Sequence, residues 1–468
     1  MKKRYKMQKI RNYISSGMPY YKRMILVAIP IMIQNGVTNF VSMLDNIMVG
    51  RVGTLEMTGV SIVNQLMLVF NLCIFGAMSG VGIFTAQFFG KKDDEGIKNT
   101  LQFKLVFSVV VTAVGVLTFL LLSDPLISAY IKDDSDPADI LKVTSFAKGY
   151  LKIMLWGTLP FAFSQGYAGT LRETSDRVTP MVATIVAVLV NLVLNYGLIF
   201  GNLGMPELGV NGAAIATVVS RFAELFILVF WSHTHTKKYP FIKKLFIHTT
   251  LNKKLVKKII VISIPLMVNE GIWSAGMAFL NQCYSLRGLE VVASINILST
   301  LTNVFNVSFI ALGCAIGIIL SQMLGANEKQ QAKECSTKLL AFSVAVVVII
   351  GAVMAAFAPV FPKIYNTSDT VRELACQLIL ITAVFMPVMA FTNACYFTLR
   401  SGGNTMVTFI FDSGFVCLIS IPVAFSLSRF TSLPILYLYT IIQSTEIIKC
   451  VIGYAFMKKG TWLNRVVE

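Results

Sequence analysis

"LMLVFNLCIFGAMSGVGIFTAQFFG", residues 66–90, and "LTNVFNVSFIALGCAIGIILSQMLG", residues 301–325, are two versions of one segment. In a single register Leu66 meets Leu301, Val69-Phe70-Asn71 meet Val304-Phe305-Asn306, Gly82 meets Gly317, Gln87 meets Gln322 and Gly90 meets Gly325. The same register pairs Ile29-Pro30 with Ile264-Pro265 and Gly36 with Gly271, and Arg51 pairs with Arg287 after a one-residue shift. Farther on, "GTLR" at 169–172 resembles "FTLR" at 397–400. A register kept over so much chain marks an internal duplication rather than chance.

Both copies are apolar almost throughout, and so is the rest of the chain. Of 468 residues, 55% are hydrophobic and only 13% charged, with a mean hydropathy of +0.71. Soluble domains carry about 25% charged residues. Apolar runs of about 20 residues cross a bilayer as helices, because backbone groups in lipid must pair internally. Twelve such runs are read: 24–48, 58–82, 101–122, 147–169, 179–200, 211–232, 258–280, 292–320, 338–358, 373–397, 407–428 and 434–457. The expected fold is an all-α integral membrane protein with twelve transmembrane helices. Six spans separate the copies, an even number, so both halves share one orientation. That implies two six-helix bundles related by a pseudo-two-fold axis along the membrane normal, a plan that places a transport site between the halves. The expected segments are a basic N-terminus 1–23, bundles 24–232 and 258–457, a basic connector 233–257 and a tail 458–468.

The net charge of +17 is not gathered on a soluble domain, so it does not point to nucleic acid. It lies in short runs between spans. With the N-terminus inside, the tails and the loops near 91, 172, 235–258, 329 and 400 hold most of the 40 Lys and Arg residues. "KKDDEGIK" falls inside and the acidic "DDSDPAD" outside. This is the positive-inside pattern, and it predicts a multi-pass plasma (inner) membrane protein with both termini cytoplasmic. The basic start "MKKRYKMQKIRNYISSGMPYYKR" suits the inner lipid surface. No cleavage site follows a short apolar core, so Met1 is expected to be retained.

Several chemistries lack their residues. The eight Cys are dispersed without a CxxC and read as small buried hydrophobes. His233, His235 and His248 share one loop and read as solvated rather than metal-binding. There is no GxxxxGK[ST], no dinucleotide glycine pattern and no HExxH. Neither nucleotide hydrolysis nor an integral membrane enzyme is supported, and no cofactor is expected.

The informative residues are the polar ones inside spans, where an ionisable group is a functional candidate by default. Asp45 lies far along the first span. It reads as an ion site or as an acid facing outer headgroups. Glu270, in the middle of the seventh span, reads as a coupling or substrate residue or as half of a structural ion pair. Asp412 lies early in the eleventh span, where a helix dipole would also stabilise an acid. Asn191 and Asn195, at i,i+4, face one way, either towards another helix or into a cavity. Gln34 and Asn35 follow Pro30, which frees a backbone carbonyl and can bend the helix. With Asn64, Asn269 and Asn303 they are the candidates for a substrate cavity, while Asp45, Glu270, Asn191, Asn195 and Asp412 are the candidates for a cation or proton coupling set. Arg221/Glu224 and Glu446/Lys449, at i,i+3, read as pairs within their own helices.

At this point the residues resemble a known family. "IPIMIQNGVTNFVSMLDNIMVGRVG", "GIFTAQFFGKKD", "TLRETSDRVTPM", "NLVLNYGLIFGNLGMPELGVNGAAIAT" and "SIPLMVNEGIWSAGM" are similar to segments of multidrug and toxic compound extrusion (MATE) transporters. The likeness runs over about 24–457. It implies a secondary antiporter that exports small organic, often cationic, compounds in exchange for Na⁺ or H⁺. It implies that Asp45 is the helix 1 acid that binds the coupling ion or proton. Glu270 resembles the helix 7 acid of Na⁺-coupled members, and Asn191 and Asn195 match a helix 5 pair. Possible Na⁺ sites are thus Asp45 and Glu270. Some members carry Asp where this chain has Asn195; an amide cannot change charge but can ligate Na⁺ through its carbonyl. The expected partners are small organic cations, a monovalent cation or proton and membrane lipids, with a monomeric chain.

The alternative is a flippase for lipid-linked saccharide precursors on a related fold. Its anionic substrate would want buried Lys and Arg, whereas the best-placed ionisable residues here are acids. A non-transporting scaffold fits duplicated halves with buried acids poorly.

Overall fold

The computed structural model describes residues 2–130, 136–246 and 252–467. Part of the acidic "DDSDPAD" loop and His248 lie outside the described residues. The described chain is helical with no strand. The helices are α1 (Lys2–Gly50), α2 (Thr54–Lys91), α3 (Asp94–Ser128), α4 (Pro137–Met154), α5 (Thr158–Glu173), α6 (Val178–Phe200) and α7 (Gly209–Thr234). They continue as α8 (Lys253–Ser285), α9 (Leu289–Gly325), α10 (Lys329–Phe357), α11 (Asp369–Ser401), α12 (Thr405–Phe409), α13 (Ile421–Phe430) and α14 (Ile435–Lys459).

Each of the twelve sequence-derived spans lies in helix. Among the described residues, ten helices are long and apolar enough to cross a membrane. The fourth span is α4 and α5 joined through a 3-10 turn at Leu155–Gly157, and the seventh is α8, whose first turns carry Lys253, Lys254, Lys257 and Lys258. The eleventh span holds two π-helical stretches, Ile410–Gly414 and Val416–Ser420, between α12 and α13. Large apolar side chains such as Leu121, Val384 and Leu418 stand exposed along these helices, as lipid-facing residues do.

Local signals set the ends. Asp93 caps α3 by accepting from Gly96 N at 2.9 Å, and Asp136 caps α4 by accepting from Ala138 N at 3.0 Å with Pro137 in the first turn. α6 and α14 stop at Gly201 and Gly460, whose φ values of 68° and 73° suit glycine. α2 and α9 end differently. The left-handed residues there are Lys92 and Asn327, equivalent positions of the duplication, at φ 62° and 65°. Gly90 and Gly325 therefore supply space rather than a left-handed cap.

The chain forms two compact units. One comprises Ile33–Thr85 and Asp93–Met267, and is here the N-terminal unit. The other comprises Met1–Met32, Ala86–Lys92 and Val268–Glu468, and is here the C-terminal unit. The N-terminal unit packs Val63, Met67 and Ile74 of α2 with Leu151 and Met154 of α4 and Ala214 of α7. The C-terminal unit packs Met24, Val27, Ala28 and Ile31 of α1 with Ile316, Ile319 and Leu320 of α9 and with Trp462.

Within the C-terminal unit the last turns of α2 and α9 touch through the duplicated motif. A Cβ at Gly90 would collide with the carbonyl of Gln322, and one at Gly325 with the carbonyl of Gln87. The two glutamines hold the two ends of the chain. Arg23 Nη2 donates to Gln322 Oε1 at 2.6 Å. Gln87 Nε2 donates to the carbonyls of Ser401 and Asn464 at 3.2 and 3.3 Å, and its Oε1 accepts from Val466 N at 2.8 Å.

In the N-terminal unit, the turn between α5 and α6 anchors the basic connector. Asp176 Oδ2 accepts from Lys238 Nζ at 2.9 Å, from Thr179 Oγ1 at 2.8 Å and from Tyr239 Oη. Burial pushes this carboxyl up, but the donors from Tyr239, Lys238 and Thr179 outweigh it and hold it below the usual value. Because the folded-state value is depressed, the stabilisation is complete above the ordinary aspartate value of about 4. It is lost only as pH falls through the lower folded-state value. Asp176→Asn should raise the rate of tryptic cleavage at the connector lysines roughly tenfold at neutral pH, as expected for losing charged hydrogen bonds. An unchanged cleavage rate would show that the connector is held elsewhere.

Candidate functional site

α1 and α6 bring Asp45, Asn191 and Asn195 of the N-terminal unit together, and α7 adds Thr217. Asn195 Nδ2 donates to Asp45 Oδ1 at 2.6 Å and to Asn191 Oδ1 at 3.1 Å. With the Asn191 amide turned so that its nitrogen faces Asp45, it donates to Oδ2 at 3.0 Å. Thr217 Oγ1 lies 3.4 Å from the same amide. The i,i+4 spacing on α6 puts both amides on the face that meets Asp45, as the sequence predicts.

Two features define what this group can do. Among the described residues no Lys or Arg is paired with Asp45; its hydrogen-bond partners are neutral amides. Asn195 Oδ1, meanwhile, is buried with no hydrogen-bond partner. A buried carbonyl oxygen rarely goes unpaired. The amides meet Asp45 through their nitrogens; an amide that turned its oxygen to the carboxylate, together with the Thr217 hydroxyl, would complete a hard-oxygen set, the chemistry that suits a small hard cation. A proton on Asp45 would satisfy the same charge.

The other predicted residues of this unit form a second chain of bonds. Gln34 is buried, donates to Thr184 Oγ1 at 2.8 Å and accepts from Arg172 Nη1 at 3.3 Å. Thr184 in turn donates to Glu224 Oε1 at 2.5 Å. Glu224 therefore bonds to α6, while Arg221 donates to the carbonyl of Gly157 at 3.3 Å and lies over Phe161. The in-helix pairing expected for Arg221 and Glu224 does not form, because both side chains are long enough to reach α5 and α6. Asn35 is half-buried, and Asn64 is exposed on α2.

The C-terminal unit gathers Asn269, Glu270 and Asp412, with Lys449 and Tyr396 beside them. Asn269 Nδ2 donates to Asp412 Oδ2 at 3.0 Å and lies 3.4 Å from Tyr396 Oη, while its Oδ1 accepts from Ser413 Oγ at 2.7 Å. Tyr396 Oη donates to Glu270 Oε1 at 3.3 Å. Arg400, one turn along α11, lies over the Tyr396 and Phe397 rings at 5.8 and 5.2 Å. Lys449 Nζ donates to Asp412 Oδ1 at 2.7 Å, while Glu446 accepts from Thr392 at 3.2 Å. The expected Glu446–Lys449 pair is thus also replaced by contacts to other helices. Ser413 and Asp412 lie on the π-helical stretch, whose wider turn turns both towards Asn269. Asn303 is exposed on α9.

Sequence reasoning missed three participants. Thr217 carries no sequence signal, being one hydroxyl in an apolar run. Tyr396 is likewise silent. Lys104 was findable: it is a lone cation inside the span 101–122, and the rule applied to Asp45 covers it. Its Nζ is paired with Glu173 at 2.5 Å, with the lysine side chain 0% and the glutamate 12% exposed.

Comparison with known proteins gives a consistent picture. The MatE family model matches residues 30–197 and 265–426. "Probable multidrug resistance protein NorM" of Thermotoga maritima is 25% identical over 453 residues, 95% of this chain and 94% of that protein. "Probable multidrug resistance protein YoeA" of Bacillus subtilis is 24% identical over 465 residues, covering 96% of each. Among solved structures, an outward-facing multidrug resistance MATE family transporter of the MOP superfamily has a TM-score of 0.85 at 19% identity, over 95% of this chain and 96% of that one. A MOP superfamily transporter from Pyrococcus furiosus has a TM-score of 0.84 at 18% identity, over 96% and 97%.

Proposed function

Because the chain belongs to the MatE family of multi-pass membrane transporters, we propose that it exports small organic cations, driven by Na⁺ or H⁺ moving the other way. The observation that carries this reading is the environment of Asp45: an acid on a membrane helix, with neutral partners only and an unpaired buried amide oxygen beside it. A charge in that position is costly unless something neutralises it. In the proposed cycle Asp45 takes the coupling cation, with Asn195, Asn191 and Thr217 supplying oxygens. The relatives named as multidrug resistance proteins support drugs or toxins as the cargo.

The mechanism follows from charge. A cation or proton on Asp45 removes a half-buried negative charge, and its departure restores it. A ligand can shift the protein between states only through its different affinity for each. The coupling ion and a cationic substrate therefore need to be held best in opposite states. With the basic runs on the cytoplasmic side, the substrate would be taken up there.

The test is efflux of a fluorescent organic cation such as ethidium from proteoliposomes, with a Na⁺ gradient or a pH gradient imposed separately. One gradient should accelerate efflux, and Asp45→Asn should return the rate to its no-gradient level, a loss of roughly tenfold or more, the scale of differential ion affinity that coupling needs. Glu270→Gln should reduce the rate less. If Glu270→Gln alone abolishes coupling, the ion belongs to the C-terminal unit. If neither gradient moves the cation in the wild type, cation antiport fails, and lipid-linked saccharides become the substrates to test.

A further inference from the structure

The C-terminal unit has its own deep acid, and that acid is already neutralised. Asp412 and Lys449 are paired at 2.7 Å with their side chains 16% and 7% exposed. The cradle around the pair would suit any cation. Asn269 Nδ2 holds the second carboxylate oxygen at 3.0 Å. The Phe411 and Phe415 rings lie 5.4 and 5.8 Å from Lys449 Nζ, within the range where ring faces attract positive charge. Carboxylate and aromatic faces around one point are how proteins recognise ammonium groups.

The N-terminal unit presents the opposite case. Asp45 has amide partners and no bonded Lys or Arg among the described residues, and Asn195 Oδ1 is left over. One acid is short of a cation, and the other carries one on its own chain.

We propose that Lys449 is a tethered counter-cation that fills the cation position at Asp412, so that this acid exchanges no mobile ion. The transported charge then resides in the N-terminal unit. The inference rests on the coupling reading only in naming that unit. A tethered ammonium differs from a bound ion in its effective concentration, which linkage to the same fold keeps high regardless of the medium. Asp412 is thereby insulated from the ion gradient that would load Asp45. Glu446 on the Lys449 helix and Glu270 beside Tyr396 also face this region, with Arg400 next to Glu270, so a vacancy left by Lys449 keeps Asp412 and Glu446 as its immediate charged neighbours.

The experiment is equilibrium binding of radiolabelled Na⁺ to purified full-length protein, with the infrared carboxyl band as the readout for a bound proton. Lys449→Ala should gain about one Na⁺ per chain over wild type or a new protonated-carboxyl band. Either gain should survive Asp45→Asn, vanish in Asp412→Asn/Lys449→Ala and be absent in Lys449→Arg. If folded Lys449→Ala gains neither, or if the gain persists without Asp412, the inference is overturned. If Lys449→Ala does not fold in Na⁺-free buffer, rescue by NaCl but not by choline chloride supports the inference, and no rescue while the Asp412→Asn/Lys449→Ala protein folds overturns it. The coupling reading is scored separately by whether wild-type binding is lost in Asp45→Asn. A gain in Lys449→Ala stands whatever that arm shows.

Discussion

Gly90→Leu and Gly325→Leu are each expected to destabilise the protein by about 3 kcal/mol or more, at the upper end for overpacking a close contact. Each glycine lies against the backbone carbonyl of the glutamine that begins the partner's motif, so even the Cβ of alanine has no room. A backbone carbonyl cannot move aside by changing rotamer as a side chain can. The helix ends must separate, which also strains the Gln322–Arg23 bond and the bonds from Gln87 to Ser401 and to the tail. The double substitution should cost less than the sum of the two, because both open the same crossing. Thermal unfolding of detergent-purified variants reads the effect. Gly36→Ala and Gly271→Ala are the internal controls. They are another duplicated glycine pair, but a Cβ at either meets nothing within 4 Å, so both should melt close to wild type. Because alanine and leucine both favour helix over glycine, propensity cannot produce a loss, and equal losses at all four positions would show that the close crossing is not what sets the cost.

The second large effect is expected at Lys104. Its side chain is wholly buried, and its ammonium is held by Glu173 at 2.5 Å and Thr170 Oγ1 at 3.0 Å. Removing one partner of a buried pair strands the other charge, at a cost of about 3–5 kcal/mol. Lys104→Met should therefore lower the melting temperature sharply, while Lys104→Met/Glu173→Gln should recover much of the loss. Gly82→Ala should give a milder form of the same defect, since its Cβ would intrude on the Glu173 carboxylate. A Lys104→Met protein that melts with wild type would show that this pair adds nothing to stability.

The parts of this molecule that were legible in the sequence share a physical cause. Lipid forces backbone groups to pair internally, which a continuous apolar run does as a helix, so apolar length alone located the spans, including 147–169, where the observed helix is broken by a 3-10 turn. Periodicity located Asn191 and Asn195 on one face, and the cost of an intramembrane acid drew attention to Asp45. Partner choice was not legible. Arg221, Glu224, Glu446 and Lys449 sit at spacings that allow pairing within a helix, yet each reaches a neighbouring helix instead. Spacing along one helix says nothing of what the next helix offers. The glycines of the duplication show the same limit: repetition marked both pairs as meaningful, but only the folded chain shows that Gly90 and Gly325 are needed for close approach.

The placement of Met24, Val27, Ala28 and Ile31 in the core of the C-terminal unit has a consequence for biogenesis. The first part of α1 completes its packing only against residues made much later. Arg23 and its partner Gln322 are 299 positions apart. At about 5–20 residues per second, that partner is translated roughly 15–60 s after Arg23. Throughout that interval the segment 24–31 of α1 has its core-facing side turned to lipid or to transient neighbours, while the later turns of α1 can already pack in the N-terminal unit. Assembly of the C-terminal unit thus ends with the return of this early-made segment to residues made late, and a ribosome that stalls before α9 leaves residues 24–31 with no place to dock.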